Sequence, residues 1–215
     1  MKLIHKDDIL NFEQRYRTTF MNSISGFKSL QMVATINKNN VSNIALFNSI
    51  FHVGANPPYI GMVFRPDGPE HETFENIMES GVYTLNNVVS DFYKSAHQTS
   101  ARFKAGESEF KPCGFAEQFI EGFSAPFVKE SNIKLGMALK EVIPVSLNQT
   151  RIVIGEVQHI LIEKDLIAKD GYVDLAKAKS TTVAGLDAYH SAQLINRLSY
   201  AKPEKQAEII NIEFK

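Results

Sequence analysis

The stretch that decides the reading runs from Asn37 to Pro66, NKNNVSNIALFNSIFHVGANPPYIGMVFRP, and continues after a short polar link as HETFEN at 71–76. Two apolar, β-rich runs flank a connection of Asn, Ser, His, Gly and Pro, and an acidic helix start follows. Such a layout gathers small polar side chains and free backbone N–H groups on the rim of a sheet, where a phosphorylated ligand can be held.

Outward from that stretch, Ile9, Leu10, Phe12, Tyr16, Phe20 and Ile24 recur at spacings of three and four. They predict one helix over Asp7–Ile24, capped by Asp7 or Asp8 and ended by Gly26. Residues 29–36 read as a strand, with Lys38-Asn39-Asn40 as its turn, since Asn accepts the left-handed conformation a tight hairpin needs. Ser42–Phe51 reads as the next strand, Pro57-Pro58 as a break, and Tyr59–Phe64 as a further strand. Thr73–Glu79 reads as a short helix with Thr73 as N-cap and Gly81 just past its end. Residues 82–88 return to strand and Asp91–Phe103 to helix, followed by a polar connection over 105–112 and an amphipathic patch at 115–123. Two long β runs follow, 133–145 and 150–163, in which Gly136 and Gly155 mark bulges or close backbone approach. Asp170-Gly171 is a turn, residues 191–200 a last helix, and IINIEF an alternating end. No repeat or linker interrupts the chain, so residues 1–215 form one domain, mostly antiparallel β with helices at its ends.

Composition excludes several classes. The chain has 215 residues, 44% hydrophobic and 22% charged, with a formal net charge of −1 and no dense Lys/Arg run; nothing favours nucleic acid or an anionic membrane. One cysteine, Cys113, gives no disulfide, and the six histidines lack metal-ligand spacing, so no metal site is expected. MKLIHKDDIL turns charged at once, and no apolar run approaches the roughly 18–20 residues of a membrane helix; the expected setting is cytoplasmic. Glycine-rich dinucleotide and P-loop motifs are missing, as is the Gly-x-Ser-x-Gly elbow.

What remains is a set of small polar residues at strand and helix ends: Ser25, Lys28, Asn43, Asn48, Ser49, Thr73, Asn76, His97, Thr99 and Ser100. Hydroxyls, amides and a cation together suit phosphate recognition. Taken singly, each serves a cap, a turn or a surface as readily as a ligand.

The series Asn43-Ile-Ala-Leu-Phe-Asn-Ser49, Asn56-Pro-Pro, Gly61–Pro66 and His71–Ile77 resembles the flavin reductase-like family of FMN-binding split barrels. Tyr83–Asn86, Ala96-His97, Ser108–Phe110, Ala125-Pro126, Glu130-Ser131 and Gly155-Glu-Val continue it in order, over about residues 12–203. The resemblance implies a six-stranded Greek-key split β-barrel, a homodimer, and FMN near the subunit interface. Carried over by position, it implies that Asn43, Ala45, Asn48, Ser49, Arg65, Thr73, Asn76 and His97 bind FMN, with Lys28 as a phosphate cation. Ile44, Phe47 and Phe51 would wall the ring, and Tyr189 would close the pocket or simply pack. Leu46 and Asn39-Asn40 depart from the family, which often has Pro and Gly at these places. The implied activity is hydride transfer from NADH or NADPH to flavin, then to free flavin, ferric iron or another small acceptor. The rivals are a flavoredoxin-like electron carrier and a split-barrel protein that binds a ligand without turnover.

Overall fold

The computed structural model describes residues 1–66, 72–104 and 106–214. The chain opens with α1 (Lys6–Asn11) and α2 (Gln14–Ser23). The single helix expected over Asp7–Ile24 is thus broken: Phe12 is extended (φ −60°, ψ 142°), and the Glu13 carboxylate accepts the Tyr16 N–H at 3.0 Å to start the second helix. Strands β1 (Lys28–Ser29) and β2 (Gln31–Ile36) follow, and β2 turns through Asn40 (φ 59°) into β3 (Ser42–Phe47). Asn37 Oδ1 accepts the N–H groups of Asn39 and Val41 and fixes that turn. Then come β4 (Ile50–Ala55), β5 (Pro58–Phe64), α3 (Glu72–Ser80), β6 (Val82–Asn87) and α4 (Tyr93–Gln98). Gly81 sits just past α3 with φ 72°, as a helix-ending glycine should. His71, quoted with the resemblance, lies outside the described residues.

From α4 onward the sequence expectations fail at two places. The helix expected over Asp91–Phe103 stops at Gln98, because Thr99, Ser100 and Ala101 bond back three residues and turn the chain away. The amphipathic patch at 115–123 is a strand pair, β7 (Glu117–Ile120) with β8 (Phe123–Val128). After β9 (Ile133–Val145), β10 (Thr150–Ile162), β11 (Thr181–Ala184) and β12 (Ala188–Ser191), residues 191–200 form no helix. Leu194, Ile195 and Leu198 have helical spacing but meet no core and stay exposed. Their segment instead forms β13 (Arg197–Leu198), paired antiparallel with β14 (Ile209–Ile210). Arg197 anchors it through Asp170 at 2.6 Å and the face of Tyr172 at 4.3 Å.

The main sheet has seven strands in the order β3-β2-β6-β9-β10-β5-β4, all antiparallel. Six were expected; the run 42–51 divides, because β3 pairs with β2 at one edge and β4 with β5 at the other. Only Asn48 and Ser49 join the two edges, so the sheet curls into the split β-barrel. β2 is buried on both faces, which explains its unbroken apolar run. Val33 enters the lumen with Met62, Tyr83, Leu85, Met137 and Val153. Met32 and Ala34 face an outer layer with Ile44, Val88, Phe110, Cys113 and Val128.

Buried amides tie these layers. Asn86 donates to the Met32 carbonyl at 3.0 Å and accepts the Val128 N–H at 2.9 Å, joining β2, β6 and β8. Asn87 donates to Asn132 and Ser180, both at 2.8 Å. Leaving such groups without partners in the interior costs roughly 1–3 kcal/mol each.

The β9–β10 ladder slips between Ile154 and Gly155. A Cβ at Gly155 would collide with the Tyr83 hydroxyl, a buried group without a partner among the described residues whose phenol burial pushes well above its ordinary pKa. Gly155→Ala is therefore expected to lose roughly 1–3 kcal/mol in urea denaturation, and Tyr83→Phe to lose nothing. In the Tyr83→Phe background the Gly155→Ala loss should shrink; an equal loss in both backgrounds would exclude the hydroxyl as the obstacle.

Candidate functional site

Where the two sheet edges meet, the ladder is open. The link is held there by one backbone bond, from Val63 N–H to the Ser49 carbonyl at 3.0 Å. A cavity of about 350 Å³ lies against the link, with Asn48, Ser49, Arg65 and His97 on its wall. A second cavity, of about 320 Å³, holds Asn43, Ala45 and Thr73. Leu46, Phe47 and Ser100 border both, so the two form one groove along the end of β3.

The structure thus brings together most residues singled out in the sequence. Asn43 is buried and its amide donates to Thr73 Oγ1 at 3.4 Å, linking β3 to α3. Thr73, expected as an N-cap, is instead inside α3, with its hydroxyl turned to β3. Asn48 donates to the Gly185 carbonyl at 3.2 Å and lies within reach of Ser49 Oγ at 3.3 Å. Lys28 lines neither cavity; its ammonium donates to the Gly185 carbonyl at 3.3 Å, next to Leu186 on the wall of the first. Asn76 is not on the groove: its amide donates to Thr35 Oγ1 at 3.0 Å and docks α3 on β2. Among the proposed ring walls, Phe47 lines the groove, whereas Ile44 is in the core and Phe51 lies over Gly61. Leu46 stands in a regular ladder opposite Met32, so the missing proline leaves β3 undistorted.

Several groove residues were not among the candidates singled out in the sequence. Arg102 and Glu109 follow α4, Glu72 begins α3, and Leu186 sits at the tip of the β11–β12 hairpin. His97 is bonded through Nδ1 to the Tyr189 hydroxyl at 2.6 Å.

The two halves differ electrically. Lys28 and Arg65 both donate to one neutral oxygen, Asn22 Oδ1, at 3.4 and 3.0 Å, and neither has a carboxylate partner among the described residues. Burial, and then the Arg65 charge, pull the Lys28 amine below its ordinary pKa. The second half holds Arg102 together with Glu72 and Glu109. Each carboxylate there is engaged by a backbone N–H, Glu72 by Gly106 at 2.7 Å and Glu109 by Ile44 at 2.9 Å. Burial pushes the Glu109 carboxyl up, against the pull of its backbone hydrogen bonds. The groove can therefore take an elongated ligand with an anion at the Lys28–Arg65 end and a flat apolar body along Leu46 and Phe47.

Comparison with known proteins bears on the family and the fold. Residues 26–180 match the flavin reductase like domain family. The fold is similar to a proposed flavin reductase with a split barrel domain from Shewanella frigidimarina NCIMB 400, at TM-score 0.90 and 40% identity over 94% of this chain and all of that one. It is similar to nitrilotriacetate monooxygenase component B from Bacillus cereus, at TM-score 0.81 and 21% identity, over 92% of this chain and 98% of the other. It is also similar to the flavoredoxin of Desulfovibrio vulgaris (Miyazaki F), at TM-score 0.68 and 20% identity, over 82% and 91% of the two chains. The last two likenesses, at these identities, show the fold alone.

Glu109 yields a pH-dependent prediction. Its folded pKa is raised above the ordinary 4.5, so its stabilising share is full below that value and is lost as pH rises through the folded value. Glu109→Gln keeps an acceptor for Ile44 N–H and removes the buried charge. It should be more stable than the parent in urea at pH 7, and the difference should vanish below pH 4. Glu109→Ala leaves the Ile44 N–H unpaired and should lose about 1–3 kcal/mol at both pH values.

Proposed function

The chain belongs to the flavin reductase-like family, and on that premise we propose that it is an FMN-binding oxidoreductase fed by NADH or NADPH. Electrons then pass to free flavin, ferric iron or another small acceptor. The observation that carries the reading is the Lys28–Arg65 pair, two cations sharing the Asn22 oxygen beside an apolar-walled groove. A phosphate dianion relieves their mutual repulsion and accepts several charge-assisted bonds.

The donor set fits FMN. Lys28 and Arg65 would hold the phosphate, with the Ser49 hydroxyl and Asn48 amide beside them. Leu46 and Phe47 offer a wall for the ring, and Asn43, Ala45, Thr73 and Ser100 line the remainder. Asn76 acts at one remove, by seating α3. FMN, when bound, supplies both hydride and single-electron chemistry. The chain's part is to bind it, orient it and shield one side of it from water, and no acid–base pair of side chains is required. Among the described residues no cluster of His, Cys, Asp and Glu could hold a metal ion, and no helix is long and apolar enough to cross a membrane. The cytoplasm, which supplies both pyridine nucleotides, is the proposed setting.

We also propose a homodimer. α1 and α2 contain no buried residue, while Leu10, Tyr16, Met21, Ile24 and Phe27 are exposed on or beside them. A second copy would cover that surface.

Purified protein should be yellow, or bind added FMN with quenching of its fluorescence. Lys28→Ala with Arg65→Ala should weaken FMN binding roughly 10- to 100-fold, the worth of one or two charge-assisted bonds. Protein that stays colourless and leaves FMN fluorescence unchanged would refute the cofactor. Anaerobic mixing with NADH and NADPH then separates reductase from carrier: rapid bleaching marks a reductase, and slow bleaching with both nucleotides a flavoredoxin-like carrier.

A further inference from the structure

The hairpin of β11 and β12 lies beyond residues 26–180, the part matched by the family, yet it is pinned to the groove. The Gly185 carbonyl at its tip accepts from both Lys28 and Asn48, and Thr182 Oγ1 donates to the Lys28 carbonyl at 2.6 Å. Farther along β12, Tyr189 packs against Tyr93 with ring centroids 5.3 Å apart, and edge-on to His97 at 5.7 Å and 84°. Its hydroxyl meets His97 Nδ1 at 2.6 Å and has no other partner among the described residues.

Which atom donates follows from chemistry. Burial, and then the Asp187 carboxylate, push the Tyr189 phenol above its ordinary pKa, so it is neutral and carries its proton at physiological pH. A phenol is the stronger donor of the two and an imidazole nitrogen the more basic acceptor. In the reverse arrangement the phenol proton would have no protein partner. Tyr189 lines a neighbouring cavity with Ser90, Thr181 and His190 rather than the groove, whereas His97 lines the groove. The contact thus occupies the part of the imidazole turned away from the site.

We propose that Tyr189 is a positioning residue that holds the His97 imidazole in one tautomer, Nδ1 bare and Nε2 protonated, so that His97 presents a hydrogen-bond donor to the groove. The tautomer stands on the geometry alone. What the donor meets rests on the flavin reading: an acceptor atom of the ring, which gains electron density on reduction and so binds the donor more strongly when reduced.

The first test needs no flavin. In long-range ¹H–¹⁵N spectra of histidine-labelled, FMN-free protein, His97 should show a protonated Nε2 and a bare Nδ1. Tyr189→Phe should give averaged nitrogen shifts, with the other histidines unmoved as a check of folding. A protonated Nδ1 in the parent, or an unchanged pattern in Tyr189→Phe, would overturn the proposal. In FMN-loaded protein, the affinity for reduced over oxidised FMN should fall roughly 3- to 10-fold in Tyr189→Phe and His97→Ala. His97→Gln, which keeps an N–H donor, should restore part of it. An unchanged ratio in all three would overturn the role toward flavin, while failure of the protein to bind FMN at all would refute the cofactor and leave the tautomer to the first test.

Discussion

The constraint on which the structure depends is the shortness of one link. β3 and β4 form opposite edges of a seven-stranded sheet, yet only Asn48 and Ser49 separate them in the chain. Consecutive Cα atoms are about 3.8 Å apart, so the link spans little more than 10 Å. A flat sheet of that width would hold its edges at about two and a half times that distance, at about 4.8 Å per strand. The sheet must therefore roll, and the site is where it fails to close. Backbone groups at the seam have few ladder partners, and the groove forms between the ends of β3 and β5 on either side of it.

That division of one apolar run into two edge strands was not legible locally. Residues 42–51 are uniformly strand-like, and Asn48-Ser49 is no stronger a break than Asn39-Asn40, which makes an ordinary turn. What decides is the pairing of each half, a property of the whole sheet. The long strands β9 and β10 were legible because their extent and their turn at Asn148 are local facts. The helix expected at 191–200 failed for the opposite reason: its spacing was real, but spacing forms a helix only where a core receives the apolar face. In the N-terminal helix a glutamate cap outweighed continuous periodicity.

The site divides along the same line. Lys28, Asn43, Asn48, Ser49, Thr73 and His97 stood out as polar groups at strand and helix ends, and Ala45 and Arg65 came through the resemblance. Arg102, Leu186 and Asn22 could not, since only the topology carries them there, while Tyr189 and the segment of Glu109 entered through the resemblance without these contacts. Asn76 shows a limit of residue type as a signal. An amide that docks a helix through Thr35 and one that faces a ligand are alike in sequence, and the difference lies in which side of α3 meets β2.

Charge placement gives the groove a direction. At one end Lys28 and Arg65 share a single neutral oxygen, an arrangement whose repulsion falls when an anion arrives. At the other, Glu72 and Glu109 hold the backbone of Gly106 and Ile44, which fixes the end of the groove but makes it hostile to a dianion. Arg102 offsets one of these charges and no more. An elongated ligand with one anionic end would thereby be favoured in one orientation, its anion at the seam and its body toward β3 and α3. His97, bonded to Tyr189, lines the same cavity as Asn48, Ser49 and Arg65, together with Leu46 and Phe47. Orientation here arises from where acids are already committed to backbone N–H groups, as much as from where the cations stand.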